Sequence, residues 1–278
     1  MKNTRIPLFW GIHAQPGPLF ARTLSCIPFI IAVALYGHFS AERLRVNSED
    51  KILPSFSQMA KATYSMAFTK DRRTDDYLLR KDTVASLKRI VIGVSVAAVV
   101  GLWLGINMGV FRGMGAVFGA FFIFVSIIPP LAVLPILFMT FGVDELAKIM
   151  LIIIGGALAI TRSMYLEVSK IPREQIIKVC TLGASQMAIV YRIILPQMLP
   201  RLIDTIRIVL GASWLFLIAA EAMASTEGLG YRIYLMQRHF AMDVIIPYVL
   251  WLTFLGFVFD RALRWVLETF FRWYCETK

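Results

Sequence analysis

Beyond the first two apolar runs of this sequence, three acidic residues stand within or at the edge of a run: Asp204, Glu221 and Asp260. Carboxylates in such places could relay protons or hold a cation. The spacing points instead to pairing. Arg207 follows Asp204 by three residues and Arg264 follows Asp260 by four, the offsets of structural ion pairs on a helix. Each acid also lies near the end of its run, whereas proton-coupled carriers place ionisable groups deep in the bundle. Cys26, Cys180 and Cys275 are far apart with no C-x-x-C, and His13, His38 and His239 lack ligand spacing. Neither a disulfide framework nor a metal centre is expected. No phosphate-cradling G-x-x-x-x-G-K-[ST] is present, nor a G-x-S-x-G or H-E-x-x-H motif. The chain is therefore expected to be no enzyme and to bind no cofactor of its own.

With so few reactive groups, the elements around them define the class. Of the 278 residues, 58% are hydrophobic and 17% charged, against about 25% charged in globular proteins. The net charge of +11 could signal nucleic acid. The basic residues, however, sit in loops without interleaved exposed aromatics, as in membrane proteins whose Lys and Arg resist translocation. No nucleic-acid partner is expected.

Apolar runs fall at about residues 19–39, 84–109, 115–141, 147–164, 202–224 and 244–266. A helix needs about 20 such residues to cross the hydrocarbon core, so six spans are expected in an all-α polytopic membrane protein. The third is interrupted by "IIPPLAVLP", where Pro129 and Pro130 should kink or unwind the helix. Basic residues concentrate in alternate connections. Arg112, Arg162, Lys170, Arg173, Lys178, Arg192 and Arg201 fall on one side, and Lys148, Arg232 and Arg238 on the other. This asymmetry places both termini in the cytoplasm. The run after Lys2, Arg5 and Arg22 has the outline of a signal peptide, but the further spans favour a retained first helix. The resulting division is a cytoplasmic segment 1–22 and one transmembrane domain 23–278, with a long outer loop at about 41–83 and an inner loop at about 165–200. A charged stretch, Phe68 to Asp82, reads as a solvated surface helix or as a contact for a partner protein. Gly101, Gly105, Gly109 and Gly113 recur every four residues, followed by Gly115 and Gly119. Such a ladder lets another helix approach, either in a pore-forming or dimer contact or in ordinary packing within the chain.

The inner loop is the most informative segment. "PREQIIKVCTLGASQMAIVYRIILPQMLP" suits two short helices broken at Gly183. Met187, Ile189, Val190 and Ile193 should leave an apolar face on the second, which Pro196 should end before the fifth span. A short helix with an apolar face outside the bilayer must bury it somewhere.

This loop resembles the E-A-A-x-x-x-G-x9-I-x-L-P signature of ABC importer permeases. The glycine falls on Gly183 and I-x-L-P on Ile193, Leu195 and Pro196. Glu174 matches a P-x-E lead-in, while Ile177, Lys178 and Val179 keep none of the E-A-A triplet. "ILPSFSQM", "SLKRIVIGVSVAAVVGLWLG", "IPPLAVLPILFMTFG", "EGLGYRI" and "GFVFDRALRWVLETFFRW" are similar in order and spacing to permeases of the nitrate/sulfonate/taurine/bicarbonate group. The resemblance implies a MetI-like (type I) permease in the bacterial inner membrane. Implied partners are an ATP-binding subunit dimer that uses ATP and Mg, a second copy of the chain or a related permease, and an extracytoplasmic solute-binding protein. It also implies ATPase coupling through Glu174, Leu182, Gly183, Ala184, Ile193, Leu195 and Pro196. Ser126, Pro129 and Pro130, with Ser213, Trp214 and Glu221, are pathway candidates or simply packing residues. The alternative class is an ion-gradient-driven secondary transporter or channel.

Overall fold

A computed structural model describes residues 18–46, 52–71 and 75–276. Segment 1–17, with Lys2, Arg5 and His13, lies outside them. Among the described residues the chain is helical without strands. Helices α1 (Pro18–Val46), α2 (Phe56–Phe68), α3 (Leu78–Val110), α4 (Arg112–Ile127), α5 (Pro130–Phe141) and α6 (Glu145–Ser169) come first. They are followed by α7 (Arg173–Thr181), α8 (Gln186–Ile189), a π turn (Val190–Ile194) and α9 (Leu195–Met223). The chain ends with α10 (Leu229–Gln237), α11 (Met242–Phe270) and α12 (Arg272–Glu276).

Five helical stretches are long and apolar enough to span a bilayer, and α4 with α5 makes a sixth broken by a 91° bend. The bend falls at Ile128 and Pro129. Pro129 and Pro130 offer no N–H and disfavour helix before them, so the chain turns there. The six expected runs and the expected break are thus all present.

Helices α3 and α6 form the centre. A methyl group on Gly93, Gly101 or Gly109 would come 2.8, 2.7 or 2.5 Å from the side chains of Ile152, Ile160 and Val168 respectively. Gly105 is closed in the same way by Met164, and Ala97 meets Gly156. Rows spaced four apart on both helices interdigitate, the commonest mode of helix packing. The ladder is therefore internal packing up to Gly109. Nothing lies within 4 Å of a side chain built at Gly113 or Gly119.

Helix α9 fills the opposite groove, with Met198, Leu217 and Ala220 fully enclosed. Helices α1 and α11 stand at the periphery, with 6% and 11% of their spans buried against 44% for α6 and α9. Tyr36 of α1 donates to the Pro54 carbonyl at 2.8 Å, just before α2. There Ser55 and Gln58 form a capping box: the Ser55 hydroxyl accepts from the Gln58 N–H, and the Gln58 carboxamide accepts from the Ser55 N–H. Between Phe68 and Leu78 no helix forms among the described residues, contrary to expectation. Lys70 pairs with Asp75 and Lys81 with Asp76 across a turn.

Candidate functional site

Two constellations stand at opposite ends of the bundle. At the far ends of α3 and α6, α7 stops in a left-handed turn. Gly183 has φ of +79°. Its N–H donates to the Cys180 carbonyl at 3.0 Å, and the Ala184 N–H to the Val179 carbonyl at 3.2 Å. These two bonds define a Schellman motif, and half-buried Val179 and Ala184 add its hydrophobic contact. Ser185 then caps α8 by accepting from the Ala188 N–H. No atom approaches a side chain built at Gly183, so backbone geometry alone asks for glycine.

The inner face of this unit is held by Ile171, Ile189, Ile194 and Met198 against Ile106 and Val168. Its outer face presents Leu182, 85% exposed, with Ile177, Met187 and Tyr191. Two expectations change here. Ile189 faces inward, 6% exposed, with Val190 and Ile193 half-buried. Pro196 does not end the second helix, because the chain runs unbroken from Gln186 to Met223. The π turn is the physical reason. Its wider ring carries the Leu195 N–H to the Val190 carbonyl, which relieves the crowding a proline imposes on the preceding turn. Of the remaining signature residues, Glu174 is exposed in the first turn of α7, Ala184 and Leu195 are half-buried, and Pro196 is exposed.

At the other end, a cluster of charges, buried except for exposed Glu145 and half-buried Arg232, joins α3, α6, α9 and α10. Arg89, 1% exposed, reaches Glu145 at 2.5 and 2.6 Å, Glu221 at 2.6 Å and the Glu227 carbonyl at 2.9 Å. Glu221 also accepts from the Ser86 hydroxyl at 2.8 Å and the Gly230 N–H at 2.8 Å. Asp82 accepts from Arg232 at 2.8 Å, the Gly228 N–H at 3.0 Å and the Tyr248 hydroxyl at 3.2 Å. Lys148 completes the set at 3.1 Å from Glu145. Three cations face three carboxylates, so the cluster is internally neutral. Burial works against the Arg232 charge, and the Asp82 carboxylate outweighs it, so this guanidinium sits above its usual range. Gly228, at φ +130°, would place a side chain 2.5 Å from the Glu221 carboxyl carbon, and one at Gly230 would strike the Ile218 carbonyl. The "EGLG" turn is shaped to carry two N–H groups onto these acids.

The expectation that Asp82 belongs to a solvated surface helix is thus corrected. The signal was present: Asp82, Ser86 and Arg89 share one helical face. Asp260 pairs with Arg207 across helices at 2.8 Å, not with Arg264, which takes Glu268; Arg207 also reaches Asp204 at 3.3 Å. Ser213 and Trp214 are buried inside the subunit, as is Glu221, and the Ser213 hydroxyl bonds back to the Val209 carbonyl. None of the three reaches an open surface in this conformation. Ser126 and Pro130 are half-buried and Pro129 is exposed along the α4–α5 bend.

A bent pair among six spans, an α3–α6 centre and a capped turn before α9 define a helical membrane protein of the MetI-like fold. The permease of an inward-facing methionine ABC transporter has this fold, matching with a TM-score of 0.56 at 22% identity over 68% of this chain and 95% of that one. The family model described as binding-protein-dependent transport system inner membrane component matches residues 97–270. An ABC transporter permease protein of Methanocaldococcus jannaschii is 32% identical over 69% of this chain and 72% of its own. The taurine transport system permease of Escherichia coli is 30% identical over 73% and 74%. A bicarbonate transport system permease of Synechococcus elongatus is 32% identical over 70% and 71%. The chain belongs to the inner membrane component family of binding-protein-dependent transport systems.

Proposed function

We propose that this chain is the membrane-spanning half of an ATP-driven importer for a small anionic solute. In this reading the α7–α8 turn is the docking handle for a separate ATP-binding subunit dimer, which uses ATP and Mg. A second copy of the chain or a related permease completes the pathway, and an extracytoplasmic binding protein delivers the solute. Both termini are cytoplasmic, with the buried charge cluster at the outer end. ATP-driven closure of the ATPase pair pushes the turn, and the spans pass between inward-open and outward-open forms. Such switching requires the partner to hold one form more tightly than the other.

The observation that carries this reading is Leu182. A large apolar side chain stands 85% exposed at the tip of a doubly hydrogen-bonded turn, where the described residues leave it uncovered. Relatives named for taurine and bicarbonate support an anionic cargo. Among the described residues each buried carboxylate has a cationic partner, which speaks against the gradient-driven alternative.

The test is purification of the tagged chain from its native host in mild detergent, beside Leu182→Glu. An ATPase subunit should accompany the parent and be lost from the variant at equal membrane level. Parent protein that purifies alone and moves solute without ATP would overturn the importer reading.

A further inference from the structure

One carboxylate of the charge cluster differs from the others. Asp82 and Glu221 are fully buried, whereas the Glu145 side chain is 58% exposed. Yet the two cations that hold it are buried, Arg89 at 1% and Lys148 at 3%. Glu145 stands in the first turn of α6 and reaches inward from the helix end. The Arg89 guanidinium meets it with one whole edge: Nε donates to Oε2 at 2.5 Å and Nη2 to Oε1 at 2.6 Å. The remaining nitrogen, Nη1, donates to Glu221 and to the Glu227 carbonyl. Lys148 makes its ion pair, among the described residues, with Glu145 alone.

Two buried cations thus form a built seat for a carboxylate, and a water-exposed side chain fills it. A guanidinium edge pairs best with planar groups that present two oxygens side by side. A side chain more than half in water can turn out without crossing the bundle. Its departure leaves three cations of the cluster against two carboxylates, and an uncompensated buried charge is costly. The vacated edge therefore takes another anion. A cation is repelled there, and a neutral solute leaves the charge unmet. The approach is open as well. Glu145 and Lys148 line a cavity of about 680 Å³ with Asp144, Met223 and Thr226, and Arg89 lies directly behind Glu145. Asp144, the other acid on this wall, opposes an entering anion and keeps the seat weak, as suits a solute that must leave again.

We propose that the Nε–Nη2 edge of Arg89 and the Lys148 ammonium form a seat for a small anion with two coplanar oxygens (a carboxylate, bicarbonate or nitrate). Glu145 occupies it as a tethered stand-in until such an anion displaces it. The proposal rests on the importer reading, which puts this cavity at the outer end, and gives the anionic cargo its first contact on this chain.

The experiment uses the importer purified with its ATPase in nanodiscs of phosphatidylcholine at fixed pH. Thermal unfolding is followed as chloride is exchanged for formate or nitrate at constant ionic strength. The proteins are the parent, Glu145→Ala, Glu145→Gln and Glu268→Ala. Glu145→Ala should melt below the parent, and formate or nitrate should raise its midpoint, as a ligand of the folded state does. The parent's midpoint should begin to rise only at an anion concentration about tenfold higher or more. Its tethered carboxylate competes at an effective concentration of about millimolar or above. Glu145→Gln, which keeps the size without the charge, should fall between the two. Glu268→Ala loses an exposed pair with Arg264 and should respond only as the parent does. Failure of both Glu145 variants to respond overturns the seat, and so does an equal rescue of Glu268→Ala. A parent that never responds shows that Glu145 is not displaced and overturns the proposal too. Rescue that needs added phosphatidylglycerol assigns the cations to a lipid phosphate and also overturns it. Absence of an ATPase from the parent preparation would instead sink the importer reading, while the anion exchange would still decide the seat.

Discussion

Substitution at Gly183 separates two reasons for a glycine at a docking turn. The residue sits at φ +79° with nothing within 4 Å of a built side chain. In the isolated subunit the cost of a side chain is therefore conformational. Alanine in the left-handed region costs about 1–2 kcal/mol, a factor of about 5–30 in the population of the formed turn. Asparagine tolerates this region and should cost less. Valine, β-branched and bulkier, should cost more. The Schellman bonds to Cys180 and Val179 hold only the turn, so the bundle should survive each change. The assay is transport-coupled ATPase activity of the assembled complex in proteoliposomes, normalised to membrane level, and the expected order is Gly, Asn, Ala, Val. If asparagine proves as damaging as valine while all variants stay folded, backbone strain is refuted. The glycine would then be needed because a partner surface approaches too closely for any side chain.

The other expectations concern the bundle. Arg89→Met leaves Glu145 and Glu221 without their shared cation; loss of one partner from a buried ionic set costs about 3–5 kcal/mol, so detergent-solubilised protein should unfold at a markedly lower temperature. Partial recovery by adding Glu221→Gln would confirm that the stranded charge is the cause, and no recovery would contradict it. Gly105→Val drives a side chain into Met164 and should cost at least about 1–3 kcal/mol as overpacking. Gly113→Val meets open space and should leave the melting temperature nearly unchanged; equal losses in the two variants would refute the assignment of the ladder to internal packing.

How much of this was legible in the sequence depends on the range of the interaction. The six apolar runs, the bend at Pro129–Pro130 and the turn at Gly183 are local properties of composition, proline chemistry and glycine conformation, and each is found where the residues place it. The pairing of Asp82, Arg89 and Glu221 escaped because it joins residues more than 130 positions apart, and a charge with a tertiary partner looks like a loop charge until the partner is known. Asp260 shows the converse: an available partner four residues on was passed over for Arg207 across the helix interface. The facing of Ile189 failed for a third reason. Which side of this short segment is covered is set by contacts with Ile106 and Val168, far away in the chain.

That π turn also fixes where the molecule can yield. The end bearing Glu145 and Glu221 is bound by charge pairs and by backbone N–H groups of the "EGLG" turn, with Asp82, Arg89 and Glu221 buried. The opposite end is held by apolar contacts of Ile171, Ile189 and Ile194 and by one wide turn, Val190–Ile194, between α8 and α9. Deleting two residues from that turn removes the one its wide ring absorbs and one more, and so should rotate α8 about 100° relative to α9, the angle of one residue in a 3.6-residue turn. Leu182 would then point away from its docking direction while α9 keeps Met198 and Leu217 in the core. The expected variant melts within a few degrees of the parent but no longer retains an ATPase subunit. A deletion that keeps full coupling would show that force does not pass through a fixed α8–α9 geometry. A deletion that unfolds the bundle would show that the turn is a structural joint for the whole domain. The two ends are built from different interactions, and only one of them has a geometry that the length of a single turn sets.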